Sequence, residues 1–172
     1  EPYQSQAVSL ISDMDEHFDG YITHSDYYRD FMSNLLSLPV EKFHRLPLGI
    51  ELSGLDGKPG AKKNSPLTIG YFARICPEKG FHHSLEAFRL FHAEHSDSRL
   101  LIGGYLGSKD QAFYEQQLEN IRELGDAVQY IGSPTSQAAK VEIYKQFDLF
   151  SMPTTYHEPK GLPVLEAWAN GI

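Results

Sequence analysis

The sequence predicts an α/β fold, a parallel sheet with helices on both faces, preceded by a shorter region of different character. Two observations predict it. From Leu67 onward, short apolar runs alternate four times with amphipathic segments of helical period, the pattern of successive βα units. The residues best suited to meet a ligand, Arg74, Lys79, Gly103, Gly132, Glu158 and Glu166, all fall just beyond the ends of those runs. Doubly wound sheets gather their ligand sites there, and scattered surface residues have no reason to obey that rule. A chain of 172 residues with 41% hydrophobic and 22% charged side chains is ordinary for a folded protein.

In chain order, residues 4–18 are expected to form an amphipathic helix with Val8, Ile11, Met14 or Asp15, and Phe18 at helical spacing. Its acidic cluster, Asp13, Asp15, Glu16 and Asp19, lacks the glycine and spacing of a calcium loop and reads as a solvated face. Tyr21 to His24 is a short strand. Ser25 is the N-cap of a helix from Asp26 to about Leu38, closed by Pro39. His44 to Glu51 is a strand leading into a turn. Residues 53–66 hold three glycines, two prolines and three lysines with few apolar side chains, and read as a linker. The chain therefore divides into 1–52, the linker 53–66, and 67–172.

The first βα unit begins with the strand Leu67 to Ala73. Its loop carries Arg74, a planar fork of donors, and Lys79, a compact ammonium, a pair suited to a diphosphate. The helix after it places Phe81, Leu85, Phe88, and Phe91 or His92 toward the core. A second strand, Arg99 to Ile102, closes on Gly103 and Gly104, which permit close approach of a ligand or a tight turn. A helix over 111–124 turns Tyr114, Leu118, Ile121 and Leu124 inward, and Val128 to Gly132 is the third strand. Ser133 to Ser136 is a loop before a helix containing Val141, Tyr144 and Phe147. The fourth strand, residues 148–153, delivers the chain to Glu158.

The closing stretch, Glu158-Pro159-Lys160-Gly161-Leu162-Pro163-Val164-Leu165-Glu166, sets two carboxylates eight positions apart around a loop that becomes a helix. Gly161 frees the backbone and Pro163 suits the first helical turn, so backbone amides are expected to point outward toward an anion. Leu162, Leu165 and Ala169 lie at inward spacing, and Glu166, about one turn in, faces the ligand side.

The formal net charge of -8 argues against nucleic-acid binding. No apolar run approaches the roughly 20 residues that span a bilayer, and no signal peptide is visible. The single Cys76 cannot form an internal disulfide, permits a cytoplasmic location and reads as an inert loop thiol. There is no GxGxxG fingerprint and no Walker lysine motif, which removes support for nicotinamide and P-loop chemistry. His24 has no visible catalytic partner. His82 and His83 should diverge on a helix, and His92 and His95 lack a third ligand, so no metal site is expected.

The paired glutamates, with Arg74 and Lys79 after the first strand, resemble the motif of the retaining nucleotide-sugar glycosyltransferases of family four. These enzymes share the two-domain GT-B fold, of which residues 67–172 would be the Rossmann-like donor-binding half. Residues 1–52 resemble the end of the acceptor-side N-terminal domain and the crossing between domains. The resemblance implies Glu158, Arg74 and Lys79 as the catalytic group, with the two cations neutralising the nucleotide diphosphate and Glu158 meeting hydroxyls of the transferred sugar. It implies Glu166, Gly161, Leu162, Pro163, Gly103, Gly104, Gly132 and Ser133 as donor-binding. Glu166 would accept from the ribose, and the loops after Gly103 and Gly132 would flank the base. Lys160 stands where many members carry an aromatic or small residue, so the resemblance does not fix the sugar. The implied partners are a nucleotide-sugar donor and an unidentified acceptor, with no metal or other cofactor, and peripheral membrane contact by a longer enzyme is compatible. The chain reads as a fragment, expected to hold a nucleotide but to turn over poorly alone. Two alternatives stay open: a noncatalytic nucleotide- or sugar-binding module, and an inverting or synthase-type enzyme of the same architecture.

Overall fold

A computed structural model describes residues 3–55, 57 and 66–172. The chain forms two compact units, Glu1–Gly49 and Ile50–Ile172. Of the linker expected over 53–66, residues 56 and 58–65 lie outside the described residues. The described residues beside them belong to the second unit and bond within it. Gln137 Nε2 donates to the Glu51 carbonyl at 3.2 Å, and the Gly57 amide donates to the Ala169 carbonyl at 3.0 Å.

The first unit contains α1 (Gln4–Asp13), β1 (Tyr21–Thr23), α2 (Asp26–Leu36) and β2 (Phe43–Arg45), with β1 and β2 paired in parallel. Ser25 caps α2 as expected, its Oγ accepting from the Tyr28 amide at 3.1 Å. The first helix is shorter than its pattern: it stops at Asp13 and continues as a 3-10 turn over Asp15–His17. Val8 and Ile11 are half-buried while Met14 and Phe18 stay exposed. Asp15 is not part of a solvated face. Its carboxylate accepts from Lys42 Nζ at 2.7 Å and from the Tyr21 hydroxyl at 3.0 Å, tying the turn to β1 and the segment before β2. The expected strand over 44–51 ends at Arg45. The Leu46 amide makes a last bond to the Thr23 carbonyl, and Pro47 then has no N–H to extend the ladder. His24 Nδ1 lies 3.3 Å from the Leu46 carbonyl, a structural placement.

The second unit runs β3 (Leu67–Phe72), α3 (Phe81–Glu94), β4 (Ser98–Gly103), α4 (Gln111–Glu119), β5 (Val128–Tyr130), α5 (Gln137–Tyr144), β6 (Leu149–Phe150) and α6 (Leu162–Ala169). All four strands are parallel, in the order β5-β4-β3-β6. Successive strand residues face opposite sides, which builds two cores. Tyr71, Leu100 and Ile102 pack with Phe81, Leu85, Phe88 and Ile121, while Phe72 and Leu101 pack with Tyr144, Phe147 and Ala167. Helices therefore cover both faces, and the fold is Rossmann-like. β5 and β6 are shorter than their apolar runs. Gly132, at φ 79°, turns the chain off β5, and Pro153 offers no N–H beyond β6.

Candidate functional site

The strand order carries the chain from β3 outward to β4 and β5, then back to the other side of β3 as β6. The loops after β3 and β6 thus leave the same edge of the sheet in opposite directions, and the crevice between them is the topological switch point where doubly wound sheets bind ligands. Here the two loops are locked together. The Thr155 amide donates to the Glu78 carbonyl at 3.0 Å. Gly80 turns into α3 at φ 69°, and a Cβ there would lie 1.6 Å from the Pro153 carbonyl oxygen, so only glycine allows this approach.

Lys79 from the first loop and Glu158 from the second form an ion pair across the crevice. Tyr156 closes a triangle with them: Lys79 Nζ donates to its hydroxyl at 2.6 Å, and that hydroxyl donates to Glu158 Oε2 at 2.7 Å. The other carboxylate oxygen, Oε1, accepts from the amides of Lys160 at 3.2 Å and Gly161 at 3.3 Å. Partial burial by itself pushes the Glu158 carboxyl up, but Lys79, Tyr156 and the two amides outweigh it and hold the group at about 2. Lys79 is likewise pulled down by burial and raised by Glu158 and Tyr156 to a net value above its ordinary one. The amides of this turn, expected to point outward, differ from that expectation at Lys160 and Gly161, where Glu158 takes them.

Arg74 is exposed, on the same loop as Lys79. Its Nε sits 3.3 Å from the Cys76 sulfur, and its guanidinium is 3.9 Å from Glu78 Oε2. Cys76, expected as an inert loop thiol, is buried and helps orient this arginine.

Glu166 lies in α6, which begins at Leu162 with Gly161 as a left-handed N-cap and Pro163 in its first turn. The buried stripe of the helix differs from the expected one. Leu162, Leu165 and Ala169 are half-buried, whereas Glu166, Ala167 and Asn170 are the buried side chains. Glu166 is turned toward α5, where Lys140 Nζ donates to Oε1 at 2.6 Å and the Tyr144 hydroxyl donates to Oε2 at 3.0 Å. An apolar periodicity alone does not reveal a carboxylate buried by polar partners on a neighbouring helix.

The loops after β4 and β5 complete this edge. Gly103 and Gly104 are buried, and the Gly104 amide donates to the Gly132 carbonyl at 2.9 Å. The Ala73 amide donates to the Gly103 carbonyl at 3.2 Å, so the first three loops of the sheet are joined in sequence. Ser133 is exposed beside Gly132. Because the strands are parallel, Arg74, Lys79, Glu158 and Glu166 all stand at one edge, with Lys79 and Glu158 in contact and Glu166 joined to Lys140. Three partners were not singled out from sequence as site residues: Tyr156, Lys140 and the hydroxyl of Tyr144. Lys140 and Tyr144 are four apart, hence on one helical face, which is the signal that could have found them.

The remaining candidates lie elsewhere. The His82 and His83 rings do not diverge but lie 4.0 Å apart, and His92 Nδ1 is engaged with Ser98 Oγ at 2.9 Å. Among the described residues, no group of three or more His, Cys, Asp or Glu side chains is placed to hold a metal ion, and no helix is long and apolar enough to cross a membrane.

Comparison with solved structures shows where this architecture recurs. HepE of Anabaena, in complex with UDP-glucose, superposes with a TM-score of 0.78 over 98% of this chain at 19% identity, and 47% of HepE is covered. The C-terminal domain of LpcC, a glycosyl transferase group 1 family protein of Francisella tularensis, gives 0.61 over 70% of this chain at 20% identity, covering 66% of that domain. The pneumococcal O-GlcNAc transferase GtfA, in complex with UDP and GlcNAc, gives 0.74 over 95% of this chain at 18% identity, covering 31% of GtfA. At these identities the likeness is one of fold, that of GT-B glycosyltransferases, and the chain spans less than half the length of HepE. No curated protein sequence matches the chain. A family model described as "Glycosyl transferases group 1" matches residues 56–172, well over half of the chain, which therefore belongs to that family.

Proposed function

We propose that the chain is the donor-binding part of a cytoplasmic enzyme that transfers a sugar from a nucleotide-diphosphate-sugar to an acceptor with retention at the anomeric carbon. The observation that carries this reading is the pairing of Lys79 with Glu158 at the switch-point crevice, beside Arg74 and with Glu166 at the same edge. The UDP and UDP-glucose held by the Anabaena neighbour are of the donor class this arrangement suits.

In this reading the difficult moment is departure of the diphosphate while the anomeric carbon takes on oxocarbenium character. Arg74 and Lys79 take up the developing negative charge, and the start of α6 adds its positive dipole end. These groups supply the stabilisation without requiring a metal. Glu158 has all of its roughly four acceptor positions occupied, so sugar hydroxyls reach it only as Lys79 turns onto the diphosphate. Phosphate and sugar recognition are coupled through that exchange. Glu166 accepts from the ribose, and the loops carrying Gly104, Gly132 and Ser133 flank the base.

Titration with UDP, GDP and ADP tests the reading. Micromolar binding of one of them, weakened at least about tenfold in Arg74→Ala, follows from loss of a charge-assisted contact. Binding of none of the three, or binding unchanged in that variant, would overturn it. The configuration of the glycoside product, read by NMR in an assay with sugar donor, decides retention.

A further inference from the structure

The two carboxylates of the site differ in how many acceptor positions they have left. An ionised carboxylate offers about four. Glu158 uses them on Lys79, Tyr156 and the amides of Lys160 and Gly161. Glu166 receives two donors, one on each oxygen: Lys140 Nζ at 2.6 Å on Oε1 and the Tyr144 hydroxyl at 3.0 Å on Oε2. About two positions remain, one per oxygen, which is the demand of a vicinal diol. Lys140 and Tyr144 project from successive turns of α5, so a single rigid helix face grips both oxygens. The Lys140 and Glu166 side chains are only 24% and 12% exposed, so the pair is held in one geometry with little competition from water. Tyr144 is fixed in turn, being fully buried among Phe72, Phe147 and Phe150.

We propose that Lys140 and Tyr144 are positioning residues that aim Glu166 at the ribose diol of the nucleotide, and that this α5 face makes the site select ribonucleotides over 2′-deoxyribonucleotides. The proposal rests on the donor-binding reading above and deepens it. Lys140 also balances the charge of Glu166, which otherwise faces a diphosphate of the same sign across the crevice. Without Lys140 only the Tyr144 hydroxyl holds the carboxylate, by Oε2, and the acceptor positions on Oε1 are no longer fixed toward the diol.

The test compares the best-bound nucleoside diphosphate among UDP, GDP and ADP with its 2′-deoxy counterpart, by calorimetry, in the wild type and in Lys140→Met, Lys140→Arg and Tyr144→Phe. The wild type prefers the ribonucleotide by about tenfold, the size of one hydrogen bond to a charged acceptor. That ratio falls below about threefold in Lys140→Met and in Tyr144→Phe, and Lys140→Arg restores most of it, since a guanidinium keeps the charge and the donors. A purely structural role would weaken both nucleotides together and leave the ratio alone. An unchanged ratio in Lys140→Met overturns the proposal, whether or not Tyr144→Phe folds. Equal binding of the two nucleotides by the wild type overturns it while leaving the donor-binding reading intact. Binding of neither sinks that reading first.

Discussion

Lys79 and Glu158 depend on each other, and the dependence has a measurable sign. Glu158 titrates at about 2 rather than at its ordinary 4.5, because Lys79, Tyr156 and two amides outweigh the effect of burial. A carboxyl held low in the folded state stabilises it above the unfolded value and loses that contribution as pH falls through the folded one. Glu158 thus adds stability that disappears between pH 4.5 and about 2, and chemical denaturation across that window shows a smaller decline in Glu158→Gln. In Lys79→Met burial loses its main opponent, so the Glu158 midpoint, followed by carbon NMR of the carboxyl, rises from about 2. A midpoint that does not move would show that the ammonium is not what holds it. Tyr156→Phe moves it in the same direction by less and changes stability by under about 1 kcal/mol, as befits a half-exposed hydroxyl. At this scale the sequence was only partly legible. Arg74, Lys79, Glu158 and Glu166 stood out as charges just beyond the ends of the apolar runs. Tyr156 and Lys140 did not, because their significance is a contact between segments 77 and 26 positions apart along the chain.

Among the elements, the two left-handed glycines that start helices at the crevice separate two costs. Gly161 begins α6 at φ 60° with open space where a Cβ would go, whereas Gly80 begins α3 at φ 69° with the Pro153 carbonyl in that space. Gly161→Ala therefore carries only the backbone cost of about 1–2 kcal/mol. Gly80→Ala carries that cost and a collision between backbones, for a loss above about 3 kcal/mol. Thermal unfolding distinguishes them, with Gly80→Ala the more damaging, and equal effects would mean that the loops after β3 and β6 are not locked as described. Element identity was legible throughout the second unit, because apolar runs and helical stripes repeat there with glycine and proline between them. Element ends were not. Proline at Pro47 and Pro153 cut strands short, and α6 buried the face carrying Glu166 because Lys140 and Tyr144 offered partners that no leucine stripe could advertise.

For the whole molecule, the order β5-β4-β3-β6 makes separate loops act together. Four parallel strands align their carboxyl ends, the reversal between β3 and β6 opens the crevice, and backbone bonds tie the loop after β3 to those after β4 and β6. The sequence foretold the parallel sheet, since four βα repeats admit few other arrangements. The strand order could not be read from it, being set by which buried faces meet in three dimensions. The central claim is that this edge binds a nucleoside diphosphate, and amide chemical-shift mapping of the chain during titration with UDP tests it most directly. The account predicts that the largest shifts cluster at Arg74, Lys79, Gly104, Gly132, Gly161 and Glu166, in the loops and helix starts beyond the strand ends. Shifts concentrated at the opposite edge of the sheet, around Leu67, Ser98 and Val128, would contradict it.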